Sequence, residues 1–196
     1  MTIRPRASLI NSDLDRPSAL QSIPRDNNLL WLDKNENLDP ELNALAKKVL
    51  ESIPSLALNS YPEAGELYRK LANWVGLSPE SFLLTPGSDG AIRLVFETFV
   101  EHNDLVVHTF PTFAMYPVYS NAFGAIAHQV KYELHNGKVS LGKREMVETI
   151  TRIKPKLVCI PNPDSPTGTT FSSNDLREIL STCESAGALL LLDEAY

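Results

Sequence analysis

A chain of 196 residues has room for one domain with a full hydrophobic core, or for part of a larger one. With 43% hydrophobic and 21% charged residues it has the composition of an ordinary globular protein, which excludes disordered and fibrous classes. Its formal charge is −6, from 24 acidic and 18 basic residues, and the basic ones form no stripe, so no nucleic-acid or membrane partner is expected.

Residues 1–40 are rich in Asn, Asp, Pro, Arg and Ser, show little periodicity and read as an extended arm. The basic start, Met1 to Arg6, leads into no apolar run, so no signal peptide is expected. From Pro40 to Leu50, Leu42, Leu45, Ala46 and Val49 recur at helical spacing, which predicts a helix to about Ser52. A loop over Ile53–Glu63 carries Tyr61-Pro62, and a second helix is predicted over Gly65–Val75, closed by Gly76.

Beyond this point strands and helices alternate. Phe82–Thr85 reads as a short strand, and Ser88 or Asp89 then caps a helix carrying Ile92, Leu94, Val95 and Phe99. Strands are predicted over Leu105–Thr109, Ala125–Tyr132, Lys156–Ile160 and Ala188–Leu192. Helices are predicted over Phe113–Phe123, over Leu141–Ile153, and from the Ser172-Ser173-Asn174-Asp175 cap to about Ser185, with Gly187 ending the last. This order means βαβ units: an α/β fold of three layers around a mostly parallel sheet, with ligands at the carboxyl ends of the strands.

Cys159 and Cys183 have no metal-ligand spacing and read as reduced, partly buried thiols. The four histidines form no HExxH-type pair, so no metal is expected. The longest apolar run, Ala188–Leu192, is too short to span a bilayer, and a cytoplasmic location is expected.

Three segments carry chemistry. In Leu84-Thr85-Pro86-Gly87-Ser88-Asp89-Gly90, glycines at the start of a helix let backbone N–H groups approach a phosphate, with Ser88 adding a hydroxyl. The same residues also suit an ordinary capped turn, and they match neither a Walker A nor a GxGxxG pattern. Pro161-Asn162-Pro163-Asp164-Ser165-Pro166-Thr167-Gly168 is a stiff, non-helical loop after a buried strand. Asp193, opening Asp-Glu-Ala-Tyr after a fully apolar strand, is costly to bury unless a cation meets it; the alternative is an exposed strand end.

Together these segments resemble the class I/II, fold type I, pyridoxal-phosphate (PLP)-dependent aminotransferases. Within that family the closest likeness is to the histidinol-phosphate aminotransferases. Leu32–Asn37, Tyr61-Pro62-Glu63, Gly87-Ser88-Asp89 and Pro111–Tyr116 match segments of that subfamily, and the likeness runs from about Leu32 onward.

The resemblance implies PLP as cofactor, small-molecule amino-acid and keto-acid substrates, and a homodimer. It implies a phosphate cradle from Gly87, Ser88, Asp89 and Gly90, and stacking of Phe113 on the cofactor ring. Asp193 would pair with the pyridine nitrogen, and Tyr196 would bond the phenolic oxygen. Tyr61 would reach the partner subunit's cofactor phosphate, and Glu36 would help close over the substrate. Residues 1–60 would form an arm and first helix in the small domain and dimer contact, and residues 61–196 the PLP-binding large domain. Two positions depart from the family. Ser165 stands where a second Asn usually bonds the phenolic oxygen, and a water would have to complete its shorter reach. Gly90 stands where Glu is common.

The family's cofactor-binding lysine follows the Asp-Glu-Ala-Tyr segment, and its substrate-binding arginine lies further on. None of the nine lysines here occupies a matching position. The expectation is therefore the N-terminal portion of such an enzyme, with no catalytic residue of its own and no turnover alone. A PLP-dependent decarboxylase of the threonine-phosphate type shares every motif present, and a non-catalytic remnant is a third reading.

Overall fold

The structure is a computed structural model that describes residue 4, residues 7–10, 26, 28–30 and 36–196. Most of the arm expected over residues 1–40, including Leu32 to Asn35 of the matched segment, lies outside the described residues. Contacts divide the chain into two compact units, one of residues 21–84 and one of residues 85–196 together with residues 1–20.

Among its described residues the smaller unit holds two α-helices and two short 3-10 turns. Helix α2 (Pro40–Glu51), numbered after the short α1 below, is N-capped by Asp39, whose carboxylate accepts from the N–H groups of Glu41 and Leu42. Helix α3 (Gly65–Val75) ends at Gly76, whose φ of 77° is the left-handed conformation a closing glycine adopts. The predicted strand over Phe82–Thr85 does not form. A strand needs a neighbour for its backbone groups, and here the Leu84 N–H is taken by the Tyr68 hydroxyl at 3.1 Å.

The larger unit is built on four parallel strands, β1 (Leu105–Phe110), β2 (Ile126–Lys131), β5 (Leu157–Pro161) and β6 (Leu189–Asp193), in the order β2-β1-β5-β6. β1 and β5 run as apolar or buried residues because helices cover both faces. On one face α4 (Gly87–Phe99) and α5 (Met115–Phe123) pack Ile92, Phe96 and Tyr116 against Val106, Leu157 and Cys159. On the other, α6 (Lys143–Ile153) and α7 (Ser173–Ala186) pack Met146, Ile150, Ile179 and Cys183 against Val107, Val130, Val158 and Ile160. This is the expected three-layer α/β architecture. Among the described residues no helix is long and apolar enough to cross a membrane, and no cluster of ligating side chains is placed to hold a metal.

Local chemistry explains the boundaries. Ser172 and Asp175 form a reciprocal capping box at the start of α7, and Gly187, at φ 72°, ends it. Helix α4, in contrast, starts earlier than expected: Pro86 precedes it, and neither Ser88 nor Asp89 caps it. The chain also makes an antiparallel hairpin of β3 (Glu133–His135) and β4 (Lys138–Ser140) that the sequence reading missed. Its turn is Asn136-Gly137, both at positive φ, the dipeptide favoured in two-residue hairpin loops. A four-residue helix, α1 (Ala7–Ile10), touches α5 through a 3.0 Å hydrogen bond from the Ser8 hydroxyl to the Ala122 carbonyl.

Candidate functional site

Parallel strands end together at their carboxyl edge. Pro161 and Asp193 are register partners on β5 and β6, and the Asn162 N–H donates to the Asp193 carbonyl at 2.9 Å. Over this edge opens a cleft lined by Ser88, Phe113, Pro161, Pro163, Ser165, Asp193, Ala195 and Tyr196. Five of the residues singled out from the sequence are thus brought together: Ser88, Phe113, Ser165, Asp193 and Tyr196.

The helix turn meets the cleft through Ser88, in the first turn of α4. The first N–H groups of an α-helix have no intrahelical partner; here the Gly87 N–H turns back to the Thr85 carbonyl at 2.8 Å, and no side chain caps those of Ser88 and Asp89. The N-terminus of α4 is therefore a ready anion seat. Two glycines shape it. Gly87 sits at φ 77°, where a side chain is strained. A Cβ on Gly90 would lie 3.2 Å from Pro86 Cδ and 3.4 Å from Thr85 Cβ, so the turn is closed at that point. Asp89 is not among the lining residues; its carboxylate accepts from the Tyr119 hydroxyl at 3.0 Å.

Phe113 follows β1 and offers an aromatic wall, with its ring edge-to-face on Tyr116 at a centroid distance of 5.8 Å and 81° between planes. Ser165 sits on the proline loop, half-buried at the cleft, and its hydroxyl has no protein hydrogen-bond partner among the described residues.

Asp193 ends β6. Its Oδ2 accepts from the Tyr116 hydroxyl at 2.7 Å and its Oδ1 from the Ala195 N–H at 3.2 Å. Among the described residues no basic side chain lies within ion-pair distance of it. The cation expected to meet this acid is therefore not supplied by those residues. An uncapped helix N-terminus, an aromatic wall and a carboxylate without a cation suit a flat ligand that is anionic at one end and carries a protonated ring nitrogen.

Three residues to which the sequence assigned no part in the site lie around it. Tyr116 is fully buried, and burial, then its bond to Asp193, push its hydroxyl far above the ordinary phenol range, so it stays a donor. Asp164, also buried, accepts from the Thr167 N–H at 3.1 Å, the Thr167 hydroxyl at 2.5 Å and the Thr109 hydroxyl at 3.3 Å. It staples the proline loop that carries Ser165. Cys159, buried beneath the same edge, has its thiol pushed up by burial and then by the charge of Asp193, and it is inert.

The other two expected site residues belong to the smaller unit. Tyr61 is 95% exposed there, and Glu36 is exposed.

Comparison with known proteins adds to this geometry. The family model for aminotransferase class I and II matches residues 27–196. The histidinol-phosphate aminotransferase of Caldanaerobacter subterraneus subsp. tengcongensis is 32% identical over 167 residues, covering 84% of this chain and 46% of that protein. Among solved structures, the histidinol-phosphate aminotransferase of Sinorhizobium meliloti in complex with pyridoxal-5'-phosphate matches with a TM-score of 0.63 at 21% identity, over 78% of this chain and 39% of that one. The N-succinyldiaminopimelate aminotransferase of Mycobacterium tuberculosis matches with a TM-score of 0.66 at 23% identity, over 83% of this chain and 44% of that one. These structural matches establish the shared fold. The chain spans a little under half the length of the curated relatives it matches.

Proposed function

The chain belongs to the aminotransferase class I and II family, and from that premise we propose that it carries the cofactor cradle of a PLP-dependent aminotransferase of histidinol-phosphate aminotransferase type. The reaction moves an amino group between an amino acid, glutamate in the simplest case, and a phosphorylated or otherwise polar keto substrate. The observation that carries this reading is the convergence on one cleft of the uncapped α4 N-terminus, Phe113 and the cationless Asp193.

Bound PLP would supply an electron sink for reactions at an amino acid's α-carbon. Around it, the N–H groups of Ser88 and Asp89, within the Gly87–Gly90 turn, and the Ser88 hydroxyl would hold the phosphate. Phe113 would cover one ring face and exclude water from it. Asp193 would keep the proton on the pyridine nitrogen, because an opposite charge close by favours the charged form. The Tyr196 hydroxyl, and Ser165 through a water, would bond the phenolic oxygen. Tyr61 and Glu36 serve the phosphate and substrate ends in a cytoplasmic homodimer, with residues 1–60 as the arm and first helix of the small domain and residues 61–196 as the PLP-binding large domain. No lysine is among the residues lining the cleft.

The test is to titrate the full-length protein with PLP and follow its absorbance band, then to assay histidinol phosphate with 2-oxoglutarate for glutamate formation. Saturable uptake followed by glutamate formation supports the proposal. A protein that takes up no PLP sinks it.

A further inference from the structure

We propose that Tyr116 is a positioning residue that sets the plane of the Asp193 carboxylate and the tilt of the Phe113 ring together; the proposal rests on the PLP reading above. A carboxylate rotates about a single soft torsion and has no defined plane unless both oxygens are held. Asp193 is held on both: the Ala195 N–H reaches Oδ1 at 3.2 Å and the Tyr116 hydroxyl reaches Oδ2 at 2.7 Å. The first donor is local backbone. The second comes from α5, 77 residues away in sequence, on a fully buried ring that cannot relax toward solvent.

The same ring meets Phe113 edge-on. Asp193 and Phe113 reach the cleft from different elements, the end of β6 and the segment after β1, and Tyr116 touches both. One rigid side chain therefore fixes the acid against the aromatic wall, so that a ring lying on Phe113 finds the carboxylate already oriented for its nitrogen. Burial and the Asp193 charge keep the phenol protonated, which makes it a permanent donor and removes it as a proton acceptor.

The experiment uses the full-length protein and the variant Tyr116→Phe, which keeps the buried ring and its edge contact and deletes only the hydroxyl. Two quantities are read: the PLP dissociation constant by equilibrium dialysis, and the ¹⁵N shift of cofactor labelled at the pyridine nitrogen. Losing a hydrogen bond to a charged group predicts roughly tenfold weaker binding and a ¹⁵N shift toward the unprotonated position. In an Asp193→Asn background the same change should add almost nothing, since its target is gone. Unchanged affinity and shift in Tyr116→Phe overturn the proposal, and so does an effect that persists at full size without Asp193. If Tyr116→Phe does not accumulate as folded protein, the Tyr116 hydroxyl proton in the wild-type holoenzyme is read instead. A downfield resonance that moves on Asp193→Asn supports the assignment, and one that does not move overturns it. A wild type that takes up no PLP overturns the underlying reading, and the proposal with it.

Discussion

Thr109 and Asp164 stand 55 residues apart in the chain, and the hydroxyl of the first lies 3.3 Å from Oδ1 of the second. The bond ties the end of β1 to the proline loop after β5. Together with the two donors from Thr167, it makes Asp164 the buried acceptor around which that loop is wound.

Asp164→Ala should therefore destabilise the larger unit, because it removes a buried acceptor on which the half-buried Thr167 N–H depends rather than deleting a surface contact. A loss of about 2–3 kcal/mol is expected, against a change within about 0.5 kcal/mol for the exposed Thr170→Ala in the same loop. Urea unfolding of the two variants of the full-length protein checks this. Equal midpoints would show that the loop does not depend on Asp164.

These contacts also mark what the sequence discloses. Periodicity and turn residues were enough for β1, β5, β6 and helices α2 to α7, since a buried parallel strand and an amphipathic helix each carry a local pattern; α1, in the segment read as an extended arm, was not expected. The proline loop and the acid that ends β6 were legible because each lies at the carboxyl end of a strand, where ligand edges lie, and the glycine turn because its own residues suit a helix start. Tyr116 was not legible as the partner of Asp193, because nothing local marks a tyrosine whose acceptor arrives 77 residues later. Asp164 stands in the sequence as one residue of the proline loop, and only its burial reveals the staple. Phe82–Thr85 misled for the opposite reason: its composition suits a strand, but pairing is a tertiary property. The β3–β4 hairpin did have a signal, Asn136-Gly137, which the sequence reading passed over.

Gly87→Ala tests the turn before α4. At φ 77° an added Cβ costs about 1–2 kcal/mol, although open space surrounds the position. The variant should lose that much stability and bind PLP more weakly, because the turn relaxes at the point where the phosphate is expected. Gly65→Ala, at an ordinary φ and also in open space, is the control and should not lose stability. Parallel thermal melts and PLP titrations separate the two outcomes.

Ser172→Ala removes one half of the capping box of α7. A loss of about 1 kcal/mol is expected. It should appear in chemical denaturation and leave PLP affinity untouched, since α7 covers the sheet face of Met146 and Ile150, away from the Tyr116 side. Weakened PLP binding in this variant would show that the two faces are coupled.

His108 predicts a pH dependence. It is fully buried on β1, with Nδ1 2.7 Å from the Thr109 carbonyl. A carbonyl only accepts, so Nδ1 carries the proton and Nε2 is left as a buried acceptor with no hydrogen-bond partner among the described residues. Burial, opposed in part by that Nδ1 bond and joined by the nearby His128, lowers its pKa below the ordinary 6.5. The sign follows from proton counting. Below about pH 6.5 the unfolded chain binds a proton at this residue that the folded chain refuses, so stability falls as pH drops. The slope from this one group is at most about 1.4 kcal/mol per pH unit, and it vanishes above the unfolded value, where neither state is protonated. His108→Leu removes both the orphaned nitrogen and the titration. Near pH 8 the variant should lie within about 1 kcal/mol of wild type, and it should gain on wild type steadily as pH falls from 6.5 to 5. Urea midpoints of both proteins across that range measure the difference, with the titrations of all other groups cancelling. Parallel curves would mean that His108 takes up its proton in the folded state as readily as in the unfolded one.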